Sequence, residues 1–226
     1  MLGRPVLTQA QLNQYVPQLT AQDIIWAPLY DSANYIGTAG QLVLNFFSTQ
    51  VGQGTTTAPG ATGTKTFQDT NMQAGGQLTA GNAFYHTGQE ILFFPGENPE
   101  SISGASINGN FVNDVYTFSK NGLLTYTIGS NRQYMVDGPL GVFPPATRLA
   151  VATALAGFTV TATTLNILSS SYGVMSGEIY TIIPIYLTAN LGFQQVLTWT
   201  AAQALPSTNN ARLFLRMRGY LNRNAQ

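Results

Sequence analysis

Cysteine is absent and histidine occurs once, so disulfide frameworks, thiol nucleophiles, cysteine-ligated metals and His-rich zinc sites are excluded at the outset. Charge is nearly as scarce. Asp, Glu, Lys and Arg make up 8% of the 226 residues, about a third of the usual quarter. With 44% hydrophobic residues the chain is not of the highly charged disordered kind, and it is long enough to bury an ordinary core. No run of 18 apolar residues occurs, and Met1-Leu2-Gly3-Arg4-Pro5 leads into a Gln-rich stretch without the apolar segment of a secretory signal. The chain therefore reads as soluble and unexported by that route.

What charge there is lies segregated. Residues 1–178 hold all nine acids and five bases, a net of −4, whereas 179–226 hold Arg212, Arg216, Arg218 and Arg223 with no acid, a net of +4. A surface so poor in charge is weakly defended against association, which points to a protein that meets other protein over much of its exterior.

The organisation is that of one domain with an arm. Over Thr8–Leu19 the residues Leu12, Tyr15, Val16 and Leu19 suit a short helix interrupted by Pro17, and 1–20 is read as an N-terminal arm preceding a domain at 21–226. Residues 49–66 are almost all Gly, Thr, Gln, Ala and Pro and read as a long exposed loop. Elsewhere the period is two. Leu124, Tyr126 and Ile128 alternate with Thr125 and Thr127, the pattern of a half-buried strand with the apolar face inward. Asn121-Gly122 before it suits a two-residue hairpin turn, which makes Val115–Lys120, Gly122–Gly129 and Gln133–Val136 a three-stranded meander with Tyr126 in its core. Further strands are expected at Leu42–Phe47, Ala83–Phe94, Phe158–Leu168, Glu178–Leu187, Phe193–Trp199 and Arg212–Arg218, while Thr147–Ala156 fits a helix or a strand. Many short strands with turn residues between them define an all-β antiparallel sandwich or barrel.

Constellations for chemistry are few. His86 and Glu90, on one face of a regular strand, stand roughly 13 Å apart at about 3.3 Å per residue, too far for an acid/base pair. His86 is accordingly read as a half-exposed strand histidine. Glu97 and Glu100 flank Pro99 and suit a solvated turn better than a cation site, which needs more oxygen ligands. Ser169-Ser170-Ser171 has no identifiable base, Gly52-Gln53-Gly54 lacks the third glycine of a dinucleotide loop, and Lys65-Thr66 lacks the glycine that a phosphate loop places before its lysine. No catalytic residue, cofactor or metal ligand is assigned, and no small-molecule substrate is expected.

The sharpest electrostatic feature is Arg212-Leu213-Phe214-Leu215-Arg216-Met217-Arg218. Strand alternation puts Leu213, Leu215 and Met217 toward the core and Arg212, Arg216 and Arg218 on the opposite face as a row of positive charge. Such a row is solvated or paired with acids of a neighbouring subunit, with packaged nucleic acid or acidic lipid as the alternatives.

Several blocks, in this order, resemble stretches of virion proteins of tailless icosahedral bacteriophages. They are Asp69-Thr70-Asn71-Met72 with Gly76-Gln77-Leu78, Ile91-Leu92-Phe93-Phe94-Pro95-Gly96, Gly122-Leu123-Leu124 with Ile128-Gly129, and Gly138-Pro139-Leu140-Gly141 before Phe143-Pro144-Pro145. The closing stretch, Phe193–Trp199, Leu205-Pro206-Ser207 and Gly219-Tyr220-Leu221-Asn222-Arg223-Asn224, is similar to the last strands of such coat proteins. The resemblance implies a jelly-roll capsid subunit made in the host cytoplasm and incorporated into the virion. Its implied partners are copies of itself, other virion proteins, and an internal membrane or the packaged genome. Sixteen strands of a double roll fit tightly into this length, so a single roll with additions is expected and a compact double roll is the alternative. Two rival functions are a glycan-binding sandwich using Trp26, Trp199 and loop tyrosines, and a glycosidase needing two carboxylates about 5–10 Å apart. Trp199 shares a strand face with Phe193 and Leu197 and reads as core.

Overall fold

The computed structural model describes residues 10, 22–58, 61–94, 96, 102–103, 106–107, 110–129, 133–140, 143, 156–160, 163–167 and 180–224. Its spine is β13 (Ala211–Asn224), the arginine-bearing segment, which runs beyond Arg218 into the final residues. On β13 the side chains of Ala211, Leu213, Leu215 and Met217 are buried, and Arg212, Phe214, Arg216 and Arg218 alternate with them, so the period of two holds.

One edge of β13 is covered by two strands in succession. β2 (Leu29–Tyr35) pairs with Ala211–Met217 and β1 (Gln22–Trp26) with Tyr220–Asn224. The break falls at Ala27-Pro28, where proline lacks the N–H that would continue the ladder. The other edge pairs with β4 (Asn82–Phe94), which pairs in turn with β11 (Tyr180–Thr188). A second antiparallel sheet has the order β3 (Val43–Phe46), β12 (Phe193–Trp199), β7 (Gly122–Ile128), β8 (Gln133–Pro139). Two small hairpins, β5 (Ile102–Ser103) with β6 (Ser106–Ile107) and β9 (Ala156–Val160) with β10 (Thr163–Ile167), lie outside these sheets. The protein is thus all-β with two main antiparallel sheets, and its one described helix longer than a turn is α1 (Asn110–Ser119).

The pairings are nested in sequence: β2 with β13, β3 with β12, β4 with β11, and β7 with β8. The chain is therefore one long antiparallel ribbon whose successive pairs alternate between the sheets, closed by the additional pairings of β13 with β4 and β12 with β7. The sheets share one core. Phe84, Ile91 and Phe93 of β4 and the buried row of β13 cluster with Leu124, Tyr126 and Ile128 of β7 and Phe193, Leu197 and Trp199 of β12. The amides of Gln89 and Gln195 cross the core to each other in reciprocal hydrogen bonds of 3.0 and 2.8 Å, satisfying buried groups that would otherwise oppose folding.

Four sequence expectations are corrected. Val115–Lys120 is not a strand but the end of α1, so the meander reduces to the β7–β8 hairpin. Asn121 takes a left-handed φ of 59° as the residue that ends the helix, a conformation asparagine tolerates in either role. Val115 and Phe118 also fit a helical period, and Phe118 stacks at 4.4 Å on Phe93. Phe158–Leu168 is not one strand but the β9–β10 hairpin. The 49–66 loop is only partly exposed: Thr56, Thr57 and Lys65 are buried. His86 is fully buried rather than half-exposed, and it shares no face with Glu90. Thr87 is an extra residue where the register of β4 against β13 shifts, which turns His86 inward onto Tyr126 and Glu90 outward onto Arg216. Opposite this bulge a side chain at Gly219 would run into the backbone oxygen of Tyr85.

Of the segment Thr147–Ala156, only Ala156 is described, as the first residue of β9, and 147–155 lie outside the described residues. So does the 1–20 arm apart from the helical Ala10.

Candidate functional site

The outward face of the five-stranded sheet carries Arg212, Arg216, Arg218 and Glu90, with Asp69 of the adjoining loop against it. Cross-strand register sets Asn34, Arg212 and Phe94 in one row, Ser32, Phe214 and Leu92 in the next, and Tyr30, Arg216 and Glu90 in a third, with Arg218 opposite Gly88 beyond. The three arginines do share a face, as their spacing dictates.

Their partners come from the same chain. Arg212 donates to Asp69 at 2.9 Å, to the Thr57 hydroxyl at 2.9 Å and to the Gln68 carbonyl at 2.8 Å, and its guanidinium lies 4.4 Å from the Phe214 ring centre. Arg216 pairs with Glu90 Oε2 at 3.3 Å, and Arg218 Nε pairs with Glu90 Oε1. Asp69 and Glu90 are fully buried. A buried carboxylate is held only when its lone pairs are met, and Asp69 accepts from the N–H groups of Thr57 and Thr66 and the hydroxyls of Thr56 and Thr57. Burial by itself would raise its pKa, but these donors prevail and hold the carboxyl well below the usual carboxylate range.

The same loop seals the free edge of β2. Lys65 donates to Asp31 at 2.7 Å and to the Ser32 carbonyl at 2.7 Å, Asn71 exchanges hydrogen bonds with the backbone of Tyr30, and Asn71 Nδ2 reaches the Pro28 carbonyl at 2.8 Å. Lys65 is therefore a structural cation and not a phosphate ligand. Burial raises Asp31, with Lys65 and the Phe47 and Ser32 N–H groups opposing. Gly52 and Gly54 are exposed turn glycines with φ of 83° and 65°.

Phe67 and Gln68 of the loop, Phe94 of the first row, Phe214 and Leu92 of the second and Tyr30 and Arg216 of the third line an open depression of about 290 Å³. Sequence reading missed Tyr30, Phe67, Phe94, Asp69 and Glu90 as members of a site. Glu90 alone carried a signal, as a single carboxylate beside the apolar run Ile91–Phe94, where an acid must find a cation. Asp69 and Phe67 come from a loop with no periodicity to read.

The other candidates stand apart. Burial pushes the His86 imidazole down to about 4 against the opposing effect of the Gly88 carbonyl, which accepts from Nε2 at 2.9 Å. Trp199 is core, its Nε1 donating to the Phe118 carbonyl at 2.9 Å, whereas Trp26 is 49% exposed and meets Tyr220 edge-on at 5.1 Å. Glu97, Glu100 and Ser169–Ser171 lie outside the described residues. Among the described residues no three His, Asp or Glu side chains converge as a metal site, and no helix is long and apolar enough to cross a membrane. No family model, curated protein or solved structure matches the chain.

Proposed function

We propose that this protein is a structural virion subunit with a single jelly roll and additions, which self-assembles into the icosahedral capsid of a bacteriophage. The observation that carries the reading is the winding of the chain. Nested antiparallel pairs divided alternately between two sheets are the strand plan expected of an eight-stranded jelly roll, an architecture used by viral capsid and lectin domains. Counting β1 and β2 as one interrupted strand, eight strands fill the two sheets among the described residues, which favours one roll over the compact double roll.

Surface chemistry supports assembly. Leu42, Val43 and Leu123 are 53%, 48% and 37% exposed toward the outside of the four-stranded sheet or its edge, and Ile183 on β11 is 87% exposed. In the cross-strand row Val43, Thr198, Leu123, Pro139 no charge interrupts this surface. Edge pairing through β2 and β11 is discouraged, because residues 65–71 cover β2 and β11 breaks register between Thr181 and Ile185, around Pro184.

Negative-stain electron microscopy of the purified protein tests this. Regular shells or capsomers are the expected result, and a stable monomer at high concentration overturns it. Exposed Trp26 favours a glycan-binding sandwich as the second reading, for which the monomer would bind immobilised glycans and lose them on Trp26→Ala.

A further inference from the structure

We propose that the depression lined by Phe67 is a stacking site for one base of single-stranded nucleic acid, with Arg216 and Arg218 receiving the adjoining phosphate. Three observations lead there. The first is a phenyl ring held in the open. Phe67 is 63% exposed, yet its backbone is tied on both sides, by the Thr66 N–H donating to Asp69 at 2.9 Å before it and by the Tyr30 hydroxyl donating to the Phe67 carbonyl at 2.5 Å after it. A ring carried on so restrained a backbone gives up less freedom when a planar group stacks on it than one on a loose loop.

The second is a pair of further rings in the lining. Phe94 meets Phe214 edge-on with ring centres 5.8 Å apart, and Phe94 remains 37% exposed. The third is charge. Arg212 is committed to Asp69, but Arg216 and Arg218 share the single carboxylate of Glu90, which leaves one surplus positive charge. Their side chains are 37% and 28% exposed, so this charge faces solvent beside the rings. Aromatic rings next to a cationic track are how proteins hold unpaired strands without regard to sequence. The size fits as well: about 290 Å³ is at the small end of ligand sites and suits one base rather than an extended acyl chain.

Binding does not depend on the capsid reading; only the identity of the strand as a packaged genome rests on it. Fluorescence anisotropy of the full chain with a labelled oligo-dT 15-mer tests the site. Saturable binding is expected, with a log–log salt slope near one, since one or two phosphates are engaged. Phe67→Ala and Phe67→Leu are each expected to weaken binding about fivefold or more, because leucine keeps the apolar bulk but removes the stacking plane. Arg216→Gln should weaken it and flatten the salt slope. No saturable binding, equal affinity for the matching duplex, or unchanged affinity in Phe67→Leu overturns the proposal. So does a preference for vesicles of phosphatidylglycerol over the oligonucleotide that survives Phe67→Leu. Electron microscopy of the same preparation reads assembly separately, so intact shells without oligonucleotide binding sink this site and leave the capsid reading standing.

Discussion

His86 shows how a residue's neighbours decide its chemistry. It sits between Phe84, 6.2 Å away in a stacked arrangement, and Tyr126, 5.5 Å away edge-on, in a fully buried position facing the opposite sheet. Its folded value of about 4 lies below the ordinary 6.5, so between these values the unfolded chain binds the proton and the folded one does not. Stability from this group is fully present above pH 6.5 and is lost as pH falls toward 4, by roughly 3 kcal/mol across the window. Urea unfolding from pH 7.5 to 4 should show this slope, and His86→Leu should remove the part of it that the imidazole supplies. Parallel pH profiles for the two proteins would refute the burial. Phe47 is a second case. Its φ of 64° is unfavourable for a bulky residue, and its N–H is held by Asp31 at 2.6 Å while its carbonyl accepts from Gly76 at 2.6 Å.

At the scale of elements, the junction of α1 and β7 turns on two adjacent residues with different tasks. Asn121 supplies the left-handed backbone, and Gly122 supplies absence of bulk, since a side chain there would press on Leu140 and come within 2.8 Å of Trp199 Nε1. Asn121→Ala is expected to cost about 1 kcal/mol and Asn121→Gly to be nearly neutral, because glycine adopts the same φ without penalty. Gly122→Ala should cost more than Asn121→Ala, through packing rather than backbone strain. Chemical denaturation of the three variants checks the order, and a larger loss in Asn121→Ala than in Gly122→Ala would mean that a turn, not a helix end packed on Trp199, governs this junction.

For the molecule as a whole, the arginine row bonds the 56–69 loop and β4 to β13. Within the chain these arginines pair with Asp69 and Glu90. Replacing Arg212, Arg216 and Arg218 by glutamine leaves the fully buried Glu90 without its cations and takes the cation, though not the N–H and hydroxyl donors, from the fully buried Asp69. A buried pair broken from one side costs on the order of 3–5 kcal/mol, lessened here by the solvent that reaches the guanidiniums. The triple variant is therefore expected to melt several degrees lower as an isolated subunit, before assembly is considered. A normal melting temperature with impaired assembly would instead support contact of the row with acids of a neighbouring subunit.

Alternation by two was enough to place β3, β4, β11, β12 and the start of β13, to turn Leu124, Tyr126 and Ile128 inward, and to set the three arginines on one face. These features follow from local geometry, in which successive side chains of a strand point to opposite sides. The same reasoning failed where one residue type serves two conformations, as at Asn121, or where one inserted residue reverses parity, as at Thr87 between His86 and Glu90. A bulge has no composition of its own, because it is defined by the partner strand. The ion pairs were beyond reach for the same reason: Asp69 is 143 residues from Arg212, and Glu90 is 126 from Arg216. Only the winding of the ribbon brings these groups together, and it is the burial of the two carboxylates that demands a partner for them.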